Sequence, residues 1–365
     1  TFVKVIHDPS RDVRNDARIA ILELMKFSPK FDNLLRDLNN YLKKLDASLI
    51  STGTDDNDIN NKEITTSILD TMCSVLMSVG SQVKPNILND IHNTFSMSDN
   101  FRVEMDDSLR FMASKCVASI VNCSQSAEER EQMVVNLLDI DEEDDWRSIE
   151  YDLNSLAFII KNKSVYTYPM HVSYHSDIQT TFESFLESQQ ILLKIASLRI
   201  GYYLVARIVS FENMADLDEA TRLKQVVKIL DEHLLPLLSS KLNNNNEDIV
   251  VSSVEFLMEA MLDFDEGQDG GDDGEQADDE KKQQNEDGAK KIAEMWTKLE
   301  VHQVIVPFLV ENHLNNMQPE LMRKCIVTLL QIDAHDLKYY TRFIQNCNQK
   351  TVVKELNAIV QALQQ

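Results

Sequence analysis

His171 and His175 are the closest pair of histidines in the sequence. Two histidines four residues apart can share a metal ion when they lie on one face of a helix. Here Val-Ser-Tyr separates them and Pro169 precedes them, so we expect them in an irregular connection between helices. Val172 rather than glutamate directly follows His171, which excludes the H-E-x-x-H pattern of zinc proteases. We therefore interpret the pair as two exposed, partly packed histidines that bind no metal.

An acidic run between Asp263 and Gly288 is a second candidate for chemistry, because alternating carboxylates bind calcium. The run contains twelve acidic residues and two lysines. An EF-hand loop needs acids at its first, third and fifth positions and glycine at its sixth. Counting from Asp263 places Gln268 at the sixth position, and counting from Asp265 places Gly267 at the third. We expect no metal here and interpret residues 263–288 as a solvated, disordered insertion.

Enzyme chemistry is not expected elsewhere in the chain. Five of the eight glycines lie in the acidic run, and the three others are too scattered to form a phosphate-binding loop. No G-x-S-x-G nucleophile motif occurs, although a catalytic triad can assemble from distant residues. We therefore predict a protein without catalytic activity or cofactor.

The five cysteines show no C-x-x-C spacing and fall on apolar helix faces: Cys73, Cys116, Cys123, Cys325 and Cys347. Their odd number and spacing favour free thiols that pack as small apolar side chains. Such thiols are typical of the reducing cytoplasm, which is where we expect the protein. The chain starts with Thr1 rather than methionine, so we expect it to be part of a longer polypeptide.

The charge is strongly acidic, with 36 basic and 60 acidic residues and a formal net charge of -24. This charge repels phosphate backbones and anionic lipids, so we expect no direct binding to DNA or to membranes. No continuous apolar run approaches the length of a membrane span. Residues 1–46 differ, because their nine basic and seven acidic residues give a local charge of +2.

The basic N-terminal part is where we expect an acidic partner to dock. The candidate contact residues are Arg11, Arg14, Arg18, Lys26 and Lys30. Arg14 has a second interpretation. Asp8-Pro9-Ser10 is predicted to start a helix, and the spacing places Val13 and Ala17 on the buried face of that helix. Arg14 then lies at the edge of the buried face. An arginine there can instead pair with an aspartate of the neighbouring helical repeat.

Apolar residues recur at three- and four-residue intervals over most of the chain, which predicts helices throughout. Before the acidic run the predicted helices are 10–27, 31–45, 62–79, 84–97, 105–122, 127–138, 146–162, 177–188, 190–210, 217–241 and 247–263. Residues 51–61 are polar and predict a loop, and Ser164–Tyr174 predicts an extended connection.

The helices fall in pairs about 40 residues apart, which is the period of HEAT and armadillo repeats. We therefore predict an all-α solenoid of about eight helix pairs. Its predicted parts are a HEAT-repeat array over 1–262, the disordered acidic insertion over 263–288, and further repeats of the same solenoid over 289–365.

Several short motifs, taken in order, resemble one family of HEAT-repeat proteins. They are Ser10-Arg11-x-Val13-Arg14-x-x-Ala17, the turn Gly80-Ser81-Gln82-Val83 followed by Arg102, the segment Asp145-Trp146 with Ser155-Leu156-Ala157, and Arg199 with Leu204. Their order resembles the C-terminal portion of the ribosome-associated translational activator of general amino-acid control. The acidic insertion and the bulky Tyr202 and Tyr203 beside Gly201 depart from the pattern.

The resemblance implies a scaffold that recruits RWD-domain proteins, including the kinase that phosphorylates initiation factor 2 alpha. Contact with the ribosome would then involve repeats outside this chain. The alternative is a karyopherin-type nuclear transport receptor or another HEAT-repeat scaffold, since such receptors are also acidic and carry acidic loops. The start of the chain does not resemble the start of those receptors.

Overall fold

The computed structural model describes residues 5–6, 8, 10–25, 31–44, 56–96, 99–141, 143–211, 218–234, 249, 252–253, 255–256 and 354. All regular elements in these ranges are helical, which confirms the predicted all-α solenoid. The described residues form two compact units, the first within Thr1–Thr181 and the second beginning at Phe182. The predicted disordered insertion over 263–288 and the repeats over 289–365 lie outside the described ranges, apart from Lys354, and stay predictions.

The helices of the first unit alternate between longer and shorter elements. They are α1 (Arg11–Met25), α2 (Phe31–Leu42), α3 (Asp56–Val79), α4 (Pro85–Ser96), α5 (Asp107–Cys123), α6 (Ala127–Leu138) and α7 (Trp146–Lys161). Next comes α8 (Tyr168–Leu186), which continues past the end of this unit.

The helices α1, α3, α5 and α7 form a row, each packed on the next. The helix α2 packs on α3 and α4, α4 packs on α5, and α6 packs on α5 and α7. Each repeat therefore covers the apolar face of its neighbour, as expected for a solenoid.

Capping side chains explain where several helices begin. The carboxylate of Asp106 accepts a hydrogen bond from the Ser108 amide at the start of α5, and that of Asp145 accepts one from the Arg147 amide at the start of α7. Gly80 has a φ of +52°, the left-handed conformation that lets the chain leave α3. The predicted Gly-Ser-x-Val turn is therefore found between α3 and α4.

Two predicted connections are wrong. The predicted loop 51–61 is helical from Asp56 onward, because extending a formed helix by a polar turn adds a hydrogen bond per residue without new nucleation. The predicted extended connection Ser164–Tyr174 is helical from Tyr168 onward. Pro169 is tolerated in the first turn of α8, where its missing N–H has no helical acceptor.

The core of the first unit lies between the row of longer helices and the shorter helices, and it contains aliphatic and aromatic side chains. Phe95 and Phe101 pack with ring centroids 5.0 Å apart. Buried Tyr151 of α7 donates its hydroxyl hydrogen bond to the Phe95 carbonyl over 3.1 Å. Cys116 and Cys123 are buried, which agrees with the predicted packing role, whereas Cys73 is only partly buried.

One stretch of the described residues, Asn61–Gln82, is long and apolar enough to cross a membrane by length and composition alone. No continuous apolar run of this length was predicted, and serines and threonines interrupt the apolar residues of this one. Half of its most apolar window is buried, and α3, which contains most of it, packs on α1, α2 and α5. We interpret it as the core helix of the solenoid.

The second unit begins with the end of α8 and includes α9 (Ile191–Ser210), α10 (Glu219–Lys228) and a π-helical turn (Ile229–Leu234). The helix α9 packs on α10 and on the π-helical turn. Gly201 lets α9 approach the π-helical turn closely, since a Cβ atom there would lie 2.8 Å from the Leu234 side chain. Tyr202 and Tyr203, which depart from the family pattern, are both buried.

Candidate functional site

The five candidate contact residues of the N-terminal part have different environments. Arg11 is exposed on α1, and Arg18 forms a partly buried ion pair with Asp70 of α3. Arg14 is only 2% exposed. Lys26 and Lys30 lie outside the described residues. Two of the three described arginines therefore make contacts inside the solenoid.

Arg14 joins two successive repeats. Its guanidinium donates to the Glu63 carboxylate over 2.6 Å and to the Ser67 hydroxyl over 3.1 Å, both on α3. It also donates to the Asp8 carbonyl over 2.8 Å. These contacts agree with the second interpretation of Arg14, except that its partner is a glutamate.

The expected burial of Val13 is wrong. Val13 is 36% exposed while Arg14 beside it is buried, so the inward face of α1 is rotated toward the arginine. The hydrogen bonds of Arg14 compensate for the loss of its hydration. Apolar spacing cannot reveal that Arg14 is buried in place of Val13, because its acidic partner lies on another helix.

Arg110 repeats the arrangement of Arg14 two helices further along the row. It is fully buried, and its Nε donates to the Glu150 carboxylate of α7 over 2.6 Å. Its Nη1 donates to the Met105 carbonyl over 2.9 Å, and its Nη2 pairs with Asp107. The guanidinium also lies 5.5 Å from the centre of the Trp146 ring. Sequence reasoning missed Arg110.

A signal for Arg110 was present in the sequence. Asp106 is followed by Leu109-Arg110-x-x-Ala113, which matches Val13-Arg14-x-x-Ala17 in its hydrophobic, basic and small positions. Aligning the helix starts of successive repeats would have identified both arginines as equivalent.

Further ion pairs connect neighbouring repeats, and together with those of Arg14, Arg18 and Arg110 we call them the inter-repeat ladder. Arg102 pairs with Asp152 over 2.6 Å, Lys62 with Asp106 over 2.8 Å, Lys43 with Asp90 over 2.5 Å, and Lys84 with Asp32 over 2.8 Å. Along the row of longer helices, the cation comes from the earlier repeat and the acid from the later one. The ladder therefore connects each repeat of the row to the next in the same direction.

Asp152 is the ladder acid with the most unusual environment. Burial raises the pKa of its carboxyl to about 6, although the charge and hydrogen bond of Arg102 oppose this rise. At Asp106 burial also raises the pKa, but the hydrogen bonds from Lys62 and Ser108 outweigh it and the net pKa is lowered. The two acids therefore respond to pH in opposite directions.

We expect Asp152→Asn to remove a pH-dependent contribution to stability. Because the folded pKa of Asp152 exceeds the usual unfolded value, the carboxyl stabilises the fold below about pH 4 and loses this contribution as the pH rises through about 6. The difference in unfolding free energy between wild type and variant should change by up to about 3 kcal/mol over this window. Denaturant titrations at several pH values measure it.

Asp106→Asn is the matched control for this prediction. Its lowered pKa gives the opposite sign, because the stabilising effect is present above the usual unfolded pKa and is lost as the pH falls. Equal pH slopes for the two variants would contradict the expected effect of burial at Asp152.

His171 and His175 lie on α8 rather than in an irregular connection, with ring centroids 4.5 Å apart. His171 is buried, which corrects the prediction of two exposed histidines. Burial and the neighbouring His175 lower the pKa of His171 to about 3, so its ring is neutral at physiological pH. Its Nδ1 lies 3.3 Å from the Tyr166 hydroxyl. The pair therefore belongs to the packed interior at the start of α8.

No group of three or more potential metal ligands from histidine, cysteine, aspartate or glutamate occurs within the part of the chain that the structure describes. The acidic run at 263–288, examined above for calcium binding, lies outside that part.

The stacked helices and the ladder define the class of protein: a HEAT-type α-solenoid, built as a scaffold. Residues 54–235 match a family model described as stalled ribosome sensor GCN1-like, HEAT repeats. Through these repeats the chain belongs to the GCN1-like family, which confirms the resemblance to the translational activator. The match favours this family over the alternative of a nuclear transport receptor.

Other comparisons add little. Two crystal structures of engineered proteins are each 12% identical to this chain. The first covers 82% of this chain and 97% of its own length at a TM-score of 0.35. The second covers 100% of this chain and 98% of its own length at a TM-score of 0.26. These scores are too low to support a conclusion. No curated protein matches the sequence.

Proposed function

We propose that this chain is a non-catalytic scaffold that recruits RWD-domain proteins, including the kinase of initiation factor 2 alpha. In this proposal it acts in the cytoplasm as part of a sensor of stalled ribosomes and thereby in the integrated stress response. The ribosome itself would be contacted by repeats outside this chain. The family match supports the scaffold role, and the surface of α1 supports a docking site there.

The observation that carries the proposed docking site is the set of exposed apolar side chains on α1. Val13, Ile19 and Leu24 are 36%, 38% and 46% exposed. They are three of the six large apolar side chains that are exposed within the described ranges. Val13 and Leu24 are three helical turns apart and share one face. Exposed apolar residues grouped on one element are typical of an interaction surface.

Charge around this surface suits an acidic partner. Arg11 is exposed at the start of α1, and Lys26 and Lys30 follow α1 in sequence. Protein interfaces combine an apolar centre with a polar rim, and rim charges mainly accelerate association. Arg14 and Arg18 would hold α1 in place through α3 rather than contact the partner.

We expect the double variant Arg11→Glu/Lys30→Glu to bind the kinase RWD domain about tenfold more weakly at low salt, because two attractive charges become repulsive. The difference should shrink as salt rises and screens the charges. Titration calorimetry at several salt concentrations measures it. The matched control, Lys224→Glu/Lys228→Glu, makes the same charge change on exposed positions of α10 and should bind like wild type.

The variant Leu24→Ser separates the apolar contribution from the charges. It should increase the dissociation rate at every salt concentration without changing the salt dependence. Wild-type affinity and salt dependence in both the charge variant and Leu24→Ser would exclude α1 as the docking site.

A further inference from the structure

Cys73 of α3 and Cys116 of α5 face each other across the interface between two successive repeats. The sulfur of Cys73 lies 3.1 Å from the Ser119 hydroxyl oxygen and 3.9 Å from the Lys115 carbonyl oxygen, both on α5. The Cys116 thiol donates to the Leu69 carbonyl over 3.5 Å, one turn before Cys73 on α3. Lys115 and Ser119 lie one residue before and three residues after Cys116 on α5, so the Cys73 thiol lies beside Cys116. The structure thus brings together two cysteines that are 43 positions apart.

The two thiols differ in ionisation and access. The neighbouring Cys116 lowers the pKa of Cys73 against the effect of burial, and Ser119 and the charge of Lys115 lower it further. The neighbouring Cys73 and burial raise the pKa of Cys116. Cys73 is partly exposed, whereas Cys116 is fully buried. Cys73 therefore has the thiolate character and access of a reactive cysteine, and Cys116 is positioned as its partner.

Cys123, one heptad after Cys116 on α5, provides an internal comparison. It is buried and donates to the Leu76 carbonyl over 3.1 Å. Burial raises the pKa of its thiol to about 12. Cys123 therefore stays an unreactive thiol at neutral pH, although it lies on the same helix interface.

We propose that Cys73 and Cys116 form an oxidation site, in which hydrogen peroxide converts the two thiols into a disulfide between α3 and α5. The Cys73 thiolate attacks one peroxide oxygen, the O–O bond breaks, and hydroxide leaves, which gives a sulfenic acid at Cys73. The Cys116 sulfur then attacks the Cys73 sulfur and displaces the hydroxyl group, which leaves as water with the thiol proton. Peroxide gains the two electrons that the sulfurs lose.

The disulfide would connect one repeat covalently to the next. Because each repeat is held mainly by its neighbours, this bond would restrict the separation of α3 from α5 during local unfolding. The oxidised chain should melt at a higher temperature than the reduced chain. The site would therefore make the stiffness of the array depend on the redox state.

The experiment treats the folded full chain with hydrogen peroxide and maps disulfides by mass spectrometry of unreduced peptides. We expect a peptide pair joined through Cys73 and Cys116, with the loss of two hydrogen atoms. In Cys116→Ser, Cys73 should stop at the sulfenic acid and be labelled by dimedone. Cys73→Ser should abolish both products. Cys123→Ser is the matched control and should form the Cys73–Cys116 disulfide as wild type does.

Two results would overturn the proposal. One is wild-type protein in which peroxide oxidises other cysteines while Cys73 and Cys116 remain reduced. The other is dimedone labelling of Cys73 in wild type at the level seen in Cys116→Ser, since it would show that Cys116 does not react with the sulfenic acid. The first result needs only the folded wild-type protein, and circular dichroism of Cys116→Ser checks that the variant used in the second is folded.

Discussion

Replacement of Arg110 by alanine is expected to lower the free energy of unfolding of its repeats by about 3 to 5 kcal/mol. The change removes the cation from a buried pair and leaves the Glu150 carboxylate, itself only 4% exposed, without its guanidinium. The Met105 carbonyl also loses its donor. Denaturant unfolding, with hydrogen exchange on α5 and α7 to locate the damage, measures the loss.

The double variant Arg110→Met/Glu150→Leu distinguishes the cost of an unpaired charge from the value of the pair. Apolar residues of similar volume often replace a buried ion pair with little loss, because neither charge must then be desolvated. We expect the double variant to be more stable than Arg110→Ala. If the double variant lost as much stability as the single one, packing or the Met105 contact would be the main contribution of Arg110.

Replacement of Leu76 by alanine is expected to cost about 2 to 5 kcal/mol. Leu76 is fully buried on α3, and its carbonyl accepts the hydrogen bond from Cys123 on α5. The loss combines the transfer energy of the removed methyl groups with the cavity they leave. Thermal and denaturant unfolding measure it. Val135→Ala on α6 is the control, since Val135 is 40% exposed and its loss should stay within about 0.5 kcal/mol.

The repeat architecture also predicts where the effect of Leu76→Ala ends. In an array held by contacts between neighbours, hydrogen exchange should accelerate in α1, α3 and α5 and stay slow in α9. Leu204→Ala, at a fully buried position of α9, should give the converse pattern. Equal loss of protection in α3 and α9 for both variants would contradict independent repeats.

The sequence by itself was sufficient for the fold class and for most helices. The spacing of apolar residues predicted α1, α2, α5, α6, α7 and α9 close to their observed limits. A packed helix needs a repeating apolar face, and the local spacing of apolar residues shows where this face lies. The Gly80 turn was also predicted, from its resemblance to the turn of the family, and the left-handed backbone found there favours glycine. The order of short motifs identified the family that the match over 54–235 confirmed.

Helix ends and the direction of side chains were predicted less well. The polar turn from Asp56 and the proline-containing turn at Tyr168 are helical, because a first turn tolerates residues that a helix interior does not. The same error placed His171 in a connection and therefore on the surface. The predicted burial of Val13 and Arg14 was reversed, because apolar spacing takes no account of a buried cation that pairs with an acidic residue.

Only the tertiary structure revealed the contacts that order the repeats. Arg14 pairs with Glu63, Arg110 pairs with Glu150, and Cys73 lies beside Cys116, across 40 to 49 positions of sequence. A local pattern shows that a side chain lies near a helix edge, but it does not show which residue of the next repeat lies opposite. That pairing depends on the packing angle and offset between helices. The packing angle and the offset depend on how the entire apolar face of one repeat packs on the next. The inter-repeat ladder and the pair of Cys73 and Cys116 can therefore be seen only in the folded chain.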